Sequence, residues 1–428
     1  AAVWLALPLT CARAPDAPQD PPPTEEALRE LRDAAAAALD DSEDAGAAGA
    51  SDEERLRRAA QAAVEDESPL YQSLLDAYSS FANRLNAFNP RITVIGDALG
   101  RLSASSAELV EDGINRDDRF SLREVELDMR ADIDPYSKGV LILAWEEEEP
   151  GEYTATVEEG YLTLETLPLG FRAQLGRFRV PFGRINLLHT HDLPQPVRPY
   201  ALTDMFGEEG FAENGVILTW LAPKIPLELS AALLNGENGT LFAGANSDDP
   251  AWLGRAEFFQ QLGPSAFFAL GASFAFGYND APNPVNAGGA PDQESQLWGA
   301  DVLLKWQSNQ FQSLVVQGEV FGLKKEVAGG REHAFGGYGL VQVQPSQRWY
   351  FGARYDWSNY DEATEDRKQW AASGYVSYYT TEFLRFRLGF EHRERQTTGG
   401  GEPDLDTVFF QVTFVFGSHP VEPFWFNK

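Results

Sequence analysis

Between Arg91 and Gly417 the sequence alternates apolar and polar residues with a period of two, in one segment after another. Each segment spans roughly 10 to 15 residues and is rich in Val, Phe, Tyr, Trp and Thr, as β-strands are. We count sixteen such segments, and a single-chain transmembrane barrel needs an even number. The pattern therefore predicts an all-β fold, a 16-stranded antiparallel transmembrane β-barrel.

The predicted strands cover residues 91–102, 119–133, 138–147, 152–166, 170–179, 211–221, 226–235, 251–262, 264–277, 296–307, 311–324, 332–344, 347–357, 367–379, 382–394 and 406–417. Connections after even-numbered strands are tight, whereas most of those after odd-numbered strands are long. Long connections are 103–118, 180–210, 236–250, 278–295 and 395–405. This arrangement predicts periplasmic turns at one rim and external loops at the other.

Within the strands, the alternation predicts an apolar outer face and a polar lumen. In the thirteenth segment, Trp349, Phe351 and Tyr355 share one face while Arg354 and Asp356 share the other. Tryptophans near strand ends are expected to form the interfacial girdles. They are Trp145, Trp220, Trp252, Trp298, Trp306, Trp349, Trp357 and Trp370.

The residues outside the barrel divide into four parts. Residues 1–14 predict a clipped signal peptide, and a lipoprotein anchor at Cys11, the chain's single cysteine, is the alternative. Residues 15–67 predict a low-complexity, acidic and Ala-rich periplasmic leader that is partly disordered. Residues 68–89 carry an apolar stripe at helical spacing, which predicts a short amphipathic helix that packs below the barrel, forms a coiled coil or plugs the lumen. The barrel then covers 90–417, and 418–428 form a C-terminal tail.

Sixteen strands enclose an aqueous channel rather than a lumen filled by side chains. The longest connection, residues 180–210, follows the fifth strand and is therefore the third external loop. Its prolines predict a stiff segment inserted into the lumen, in which Arg184 and Arg198 project opposite Asp192 and Asp204. Its candidate pore-lining residues are Arg184, His189, His191, Asp192, Arg198 and Asp204.

The start of this loop carries a short motif. Gly176 to Gly183 resembles the Gly-x-x-x-x-Pro-Phe-Gly stretch of the phosphate-selective porin O and P superfamily. The 189–191 loop and the tail resemble a branch of porin-like proteins often labelled zinc-regulated, TonB-dependent outer membrane proteins. Sixteen strands do not fit the TonB-dependent transporters themselves, which have about 22. The resemblance implies passive diffusion of small hydrophilic solutes, a third loop that forms the constriction, and a homotrimer in the cell outer membrane.

The barrel is acidic: from Arg91 onward there are 27 Lys and Arg against 48 Asp and Glu, a net charge of 27 − 48 = −21. An excess of one sign concentrates the opposite ion, so we expect a weak cation preference. Two rows of lumen charges stand out, about 14 Å apart across three strand spacings. They are the acidic row Glu124, Glu126, Asp128 and Asp132 and the basic row Arg385, Arg387 and Arg393. The two rows either create an electric field across the lumen or are lumen side chains that only contact water.

Three other functions stay open. The basic row and the third loop could select phosphate-like anions or a metal-linked nutrient, and His189 and His191 could bind a metal. A barrel plugged by the leader or the loops would instead be a structural barrel or an adhesin. His333, His392 and His419 have no nucleophile motif beside them, so we expect no enzyme activity and no cofactor. The expected partners are membrane lipid, lipopolysaccharide and small solutes or ions, and no nucleic acid.

Overall fold

A computed structural model describes residues 90–103, 110–111, 114–115, 119–242, 250–279, 293–327, 330–361, 366–397, 400–401 and 404–418. The predicted signal peptide, leader and amphipathic helix, and the tail beyond Ser418, lie outside these residues. Among the described residues, no helix has the length and apolar character that a bilayer-spanning helix requires.

The strands alone build the wall. In chain order they are β1 Arg91–Ser103, β2 Phe120–Asp134, β3 Ser137–Glu149, β4 Glu152–Leu164, β5 Phe171–Arg179, β6 Ala212–Leu221, β7 Leu227–Leu234, β8 Ala251–Leu262, β9 Ala266–Asn279, β10 Gln293–Asn309, β11 Gln312–Val327, β12 Gly330–Ser346, β13 Trp349–Asp361, β14 Asp366–Thr381, β15 Leu384–Thr397 and β16 Leu405–Gly417. The predicted strands are confirmed, most of them within three residues at each end.

Every strand pairs antiparallel with the next, and β16 pairs with β1 from Thr93↔Gly417 to Ser103↔Thr407. This last pairing closes the barrel and leaves no free first or last strand. Small elements lie in the connections: paired strands Val110–Glu111 and Ile114–Asn115, and Gly400–Gly401 paired with β15. A 3-10 helix, Pro168–Gly170, precedes β5.

The two faces of the wall follow the alternation. On β13, Phe351 and Tyr355 are 47% and 50% exposed, whereas Arg354 and Asp356 are 3% and 0% exposed. Trp252, Trp298 and Trp349 are also exposed on the outside. The barrel therefore has an apolar exterior and a polar or packed interior, as a membrane barrel must.

The connections also follow the prediction that most, but not all, of those after odd-numbered strands are long. The hairpins β3–β4, β11–β12 and β13–β14 lie at the rim of the long loops and are joined by only two to four residues, 150–151, 328–329 and 362–365. Strand β4 extends further toward the rim of the long loops than its neighbour β5. The two strands pair only from Gly160↔Arg177 to Leu164↔Ala173. Above Gly160, β4 extends without β5 as its partner.

Candidate functional site

The connection between β5 and β6, residues 180–211, folds into the barrel; we call it the inner loop. It contains the 3-10 helices Ile185–Leu187 and Thr190–Asp192 and the helix α1, Tyr200–Phe206. From Val180 to Phe206 every residue is at least half-buried by the surrounding strands.

The inner loop packs against the strands through apolar side chains on one side. The ring of Phe182 lies 5.5 Å from that of Phe206, 6.4 Å from Phe211 and 6.3 Å from Phe321 of β11. The remaining apolar contacts come mainly from β6 to β12. We call β5 to β12 the apolar half of the barrel, and β13 to β16 with β1 to β4 the charged half.

The glycines of the Pro-Phe-Gly motif permit two close approaches. Gly176 has φ +126°, and a Cβ there would overlap the carbonyl oxygen of Gly160 on β4. Gly183 has φ +71°, and a Cβ there would overlap the carboxylate of Glu319. Only glycine adopts such conformations without strain. The motif thus lets the chain leave β5 and turn inward.

Glu319 of β11 holds the first turn of the loop. Its carboxylate oxygens accept hydrogen bonds from the backbone N–H of Arg184 at 3.0 Å and of Ile185 at 2.8 Å. Asn186 ties the loop's beginning to its end. Its Nδ2 donates to the carbonyls of Val180 and Phe211, and its Oδ1 accepts from the N–H of Phe211.

In the charged half, arginines of the strands hold the loop by donating hydrogen bonds to the loop's backbone carbonyl groups. Arg385 of β15 donates to the carbonyl of His191 at 2.7 Å. Arg354 of β13 donates to that of Val197 at 2.7 Å, and Arg123 of β2 to that of Pro196 at 2.5 Å. Arg123 also pairs with Asp97 of β1 at 2.5 Å. The loop is therefore fastened by apolar packing on one side and by guanidinium groups on the other.

The arginines of the loop have partners other than those expected. Arg184 pairs with Glu257 of β8 at 2.9 Å and Asp301 of β10 at 2.6 Å, rather than facing Asp192 or Asp204. Asp204 pairs with Arg367 at 2.9 Å and accepts from Gln369. These partners are distant in sequence, so the loop's own charge pattern could not identify them.

Arg198 lies inside the loop and donates to the carbonyl of Leu188 at 3.0 Å. Burial and the neighbouring charge of Arg179 lower the pKa of Arg198 to about 10. Asp192 lies 3.6 Å from Nε2 of His191 and is partly exposed.

His189 and His191 enter a group of carboxylates on β2 and β4. His189 contacts Glu126, Glu158 and Glu159, and His191 contacts Glu124 at 3.3 Å and Glu126 at 3.5 Å. The two rings stack with centroids 5.8 Å apart. Glu158 and Glu159, which sequence reasoning missed, are two consecutive acidic residues that both face this group.

The carboxylates favour the charged form of both rings. Burial opposes the positive charge on His191, but Glu126, Asp192 and Glu124 outweigh it and raise its pKa to about 10. Burial likewise opposes the charge on His189, and Glu126 and Glu158 raise its pKa well above the ordinary value.

His191 also connects the two predicted charge rows. Its side chain contacts Glu124 of the acidic row, while its carbonyl accepts from Arg385 of the basic row. Through His191, the inner loop thus joins a member of the acidic row to a member of the basic row.

Other members of the rows have local partners. Asp128 pairs with Arg130 at 2.8 Å, and Asp132 is exposed near the short turn after β2. Arg387 donates to Ser377 and Gln411, and Arg393 lies over the ring of Tyr200 at 5.2 Å.

A cavity of about 490 Å³ lies at the end of the barrel that carries the long loops, between the inner loop and the charged half. The strands that line it are β1, β2, β3, β14, β15 and β16. Its walls carry seven arginines and eight acidic residues: Arg101, Arg119, Arg123, Arg198, Arg367, Arg393 and Arg395, with Glu124, Glu146, Glu147, Glu148, Asp204, Glu208, Glu209 and Glu391. Such a surface suits small, strongly hydrated solutes rather than apolar ones.

Comparison with known proteins finds one relative in sequence and solved structures of the same fold. No family model matches the sequence. An uncharacterized protein of Aquifex aeolicus is 27% identical over 406 residues, which are 83% of this chain and 84% of that protein.

Two solved structures share the architecture at 12% sequence identity. The outer membrane channel DcaP of Acinetobacter baumannii matches with a TM-score of 0.54, over 77% of this chain and 96% of its own. An anion-selective porin from Comamonas acidovorans matches with a TM-score of 0.52, over 76% and 99%. With its closed wall of sixteen strands and its apolar exterior, this chain has the fold of a bacterial outer-membrane β-barrel.

Proposed function

We propose that the protein is an outer-membrane porin through which small hydrophilic solutes diffuse passively. The observation that carries the proposal is the cavity of about 490 Å³ with charged walls, which opens at the long-loop end of the barrel. Because the apolar half is filled by the loop, solutes would pass along the charged half.

The inner loop would form the constriction. At the inner end of the cavity, Arg123 lines its wall, and Asp97 and Arg385 would follow between the loop and the barrel wall; each of the three is engaged in hydrogen bonds. A solute that moves inward from the cavity would meet these groups first. Their opposite charges would orient water and polar solutes at the narrowest point.

The selectivity we propose is weakly cationic. The cavity lining is nearly balanced, with seven basic and eight acidic residues, while the barrel sequence carries the net charge of −21. The runner-up, a channel for phosphate-like anions, would use Arg385 and Arg387. Both are buried and hydrogen-bonded to protein groups, which favours a structural role over anion binding.

Membership of the phosphate-selective porin O and P superfamily is also a proposal. It is supported by the glycines of the motif, since Gly176 and Gly183 have the positive φ angles that the inward turn requires. Assembly as a homotrimer follows from the same resemblance, and native mass spectrometry of the detergent-extracted protein would test it.

The test of the porin proposal is single-channel recording of the refolded protein in planar bilayers under a KCl gradient. Ohmic current with a reversal potential on the cation side is expected. An anion-side potential with block by added phosphate would replace the proposal by the runner-up.

A plugged structural barrel is the second candidate, and the burial of the network below the cavity favours it. Asp97 and Arg387 are 0% and 1% exposed, so little open space surrounds them. A membrane that stays silent at every voltage, with protein shown to be inserted, would support this candidate against the porin.

A further inference from the structure

His189 lies in a pocket formed by carboxylates of two strands of the wall, β2 and β4, which are separated by β3. Its Nδ1 is 2.5 Å from Oε2 of Glu158 on β4 and 3.2 Å from Oε2 of Glu126 on β2. All three side chains are less than 10% exposed. An imidazole nitrogen and two carboxylate oxygens thus converge on one point inside the protein.

One of these oxygens lacks a hydrogen bond. Within the part of the chain that the structure describes, Oε2 of Glu126 has no hydrogen-bond partner, although Glu126 is 1% exposed. The two imidazoles approach it at 3.2 and 3.5 Å without hydrogen-bonding geometry. The charges of the two imidazoles offset part of the cost of burying this oxygen, but it still makes no hydrogen bond of good geometry, so this atom is suited to an additional ligand.

Glu159 and Arg179 contact His189 and Glu158 from the side away from the converging atoms. Outer partners of this kind also surround the ligands of bound metal ions. Nε2 of His189 lies 2.8 Å from Oε1 of Glu159, so that it donates its proton there while Nδ1 stays directed at Glu126 and Glu158. Oε1 of Glu158 accepts a hydrogen bond from Arg179 at 2.8 Å, which orients its Oε2 toward Nδ1 of His189. Metal-binding histidines and carboxylates are typically oriented by such outer partners.

We propose that Glu126, Glu158 and His189 bind one divalent transition-metal ion, and that Zn²⁺ is the ion they suit best. Imidazole and carboxylate are ligands that Zn²⁺ accepts, and three protein ligands leave a fourth position for water. Ligands about 2.0 Å from a tetrahedral ion lie roughly 3.3 Å from each other. Nδ1 of His189 and Oε2 of Glu126 are 3.2 Å apart, whereas Oε2 of Glu158, 2.5 Å from Nδ1, would have to move away from it when the ion replaces the shared proton. The ion would displace the proton from Nδ1 and tie the inner loop to β2 and β4.

Glu124 and His191 form a second group that shares Glu126. Because one carboxylate is common to both groups, the proposal assigns a single ion, and His191 keeps its contact with Glu124. Metal binding does not depend on conduction, so the porin proposal and this one can fail separately.

The test is Zn²⁺ binding by the refolded full-length chain, stripped of metal with EDTA and titrated against a chromophoric chelator. All proteins carry His392→Gln, because His392, Glu394 and Asp404 form a separate, more exposed group that could hold an ion. One tightly bound Zn²⁺ per chain is expected. Loss of an outer partner alone weakens metal sites about 10- to 100-fold, so His189→Gln and Glu158→Gln should each weaken binding at least about 100-fold.

His333→Gln is the matched control, since His333 is exposed on β12, and its binding should be unchanged. Folding of each variant is checked by its heat-modifiable mobility in gels. X-ray absorption at the zinc edge of the unsubstituted site should show imidazole among nitrogen and oxygen ligands, even if a variant does not fold. Equal affinity in folded His189→Gln, or a spectrum without imidazole, would overturn the proposal.

Discussion

The two halves of the barrel interior hold the same loop by different physical means. In the apolar half, Phe182, Phe206 and Phe321 pack ring against ring, and such packing excludes water. In the charged half, Arg385 and Arg123 hold loop carbonyls next to a cavity that reaches the long-loop end. The packing that stabilises the loop and the proposed solute path are therefore assigned to opposite walls of one lumen.

The largest effect is expected from deleting the part of the inner loop that faces the charged half. Deletion of residues 194–200 eliminates the carbonyls bound by Arg123 and Arg354 but keeps Phe182 and Phe206. We expect a several-fold rise in single-channel conductance, because the passage along the charged half widens. Deletion of residues 281–287, equal in length and in another long connection, serves as the control. Unchanged conductance would remove residues 194–200 from the constriction.

A large loss of stability is expected from Phe182→Ala. The substitution removes a fully buried ring that contacts three others, and such changes cost about 3–5 kcal/mol in well-packed interiors. The measurement is the urea or temperature midpoint of unfolding in detergent. Phe351→Ala, on the lipid-facing side of β13, is the comparison and should cost much less in detergent. Equal losses would contradict the view that the apolar half carries the loop's stability.

Glu319→Ala tests the polar anchor of the same half. Two buried backbone N–H groups would lose their acceptor, and each unsatisfied group costs about 1–3 kcal/mol. We expect a lower unfolding midpoint together with noisier open-channel current, since the first turn of the loop is released. Glu382→Ala, at an exposed turn, should change neither quantity. A quiet channel with normal stability would show that Glu319 does not hold the loop.

Arg385→Gln probes the charged half through both selectivity and stability. It removes one positive charge from the proposed passage, so the reversal potential should move toward the cation side, and the unfolding midpoint should fall because the carbonyl of His191 loses its buried donor. Arg348→Gln removes the same charge from an exposed site at the opposite rim and controls for the net charge. A shift equal to that of the control would place Arg385 outside the solute path.

The smallest effect is expected from Asp204→Asn at the cavity wall. Asp204 is partly neutralised by Arg367, so losing its charge should shift the reversal potential only slightly toward anions. The same recordings used for Arg385→Gln measure it, and Glu332→Gln on the long-loop side of β12, outside the cavity lining, is the control. A shift larger than that of Arg385→Gln would reverse the proposed order of the two sites.

The strands of the wall could be predicted from the sequence, whereas the contacts of the inner loop could not. Strand alternation is a local signal, so nine residues such as Trp349 to Trp357 suffice to assign a strand and its two faces. The anchor of the loop is not local. Glu319 binds the N–H of Arg184, 135 positions away, and as an isolated residue it looks like any other lumen carboxylate.

The charges of the loop illustrate the same limit. Arg184 was expected opposite Asp192 and Asp204 because these are its neighbours along the chain. Its actual partners, Glu257 and Asp301, are on the facing wall. The Pro-Phe-Gly motif did mark the start of the loop, because the positive φ of Gly183 lets the chain turn there. The motif does not show that the carboxylate next to Gly183 belongs to Glu319.

The short pairing of β4 with β5 has a consequence for how the barrel meets its surroundings. Where the chain turns inward after β5, it deprives β4 of a neighbour, and residues 152–157 are exposed on both faces. An edge of this kind can accept a strand from another molecule. Glu152 places a charge on it, and Arg177 satisfies the carbonyl of Val157 at 2.9 Å. The inward loop thus gives the rim of the barrel a notch, where the outer part of β4 has a neighbouring strand on one side only.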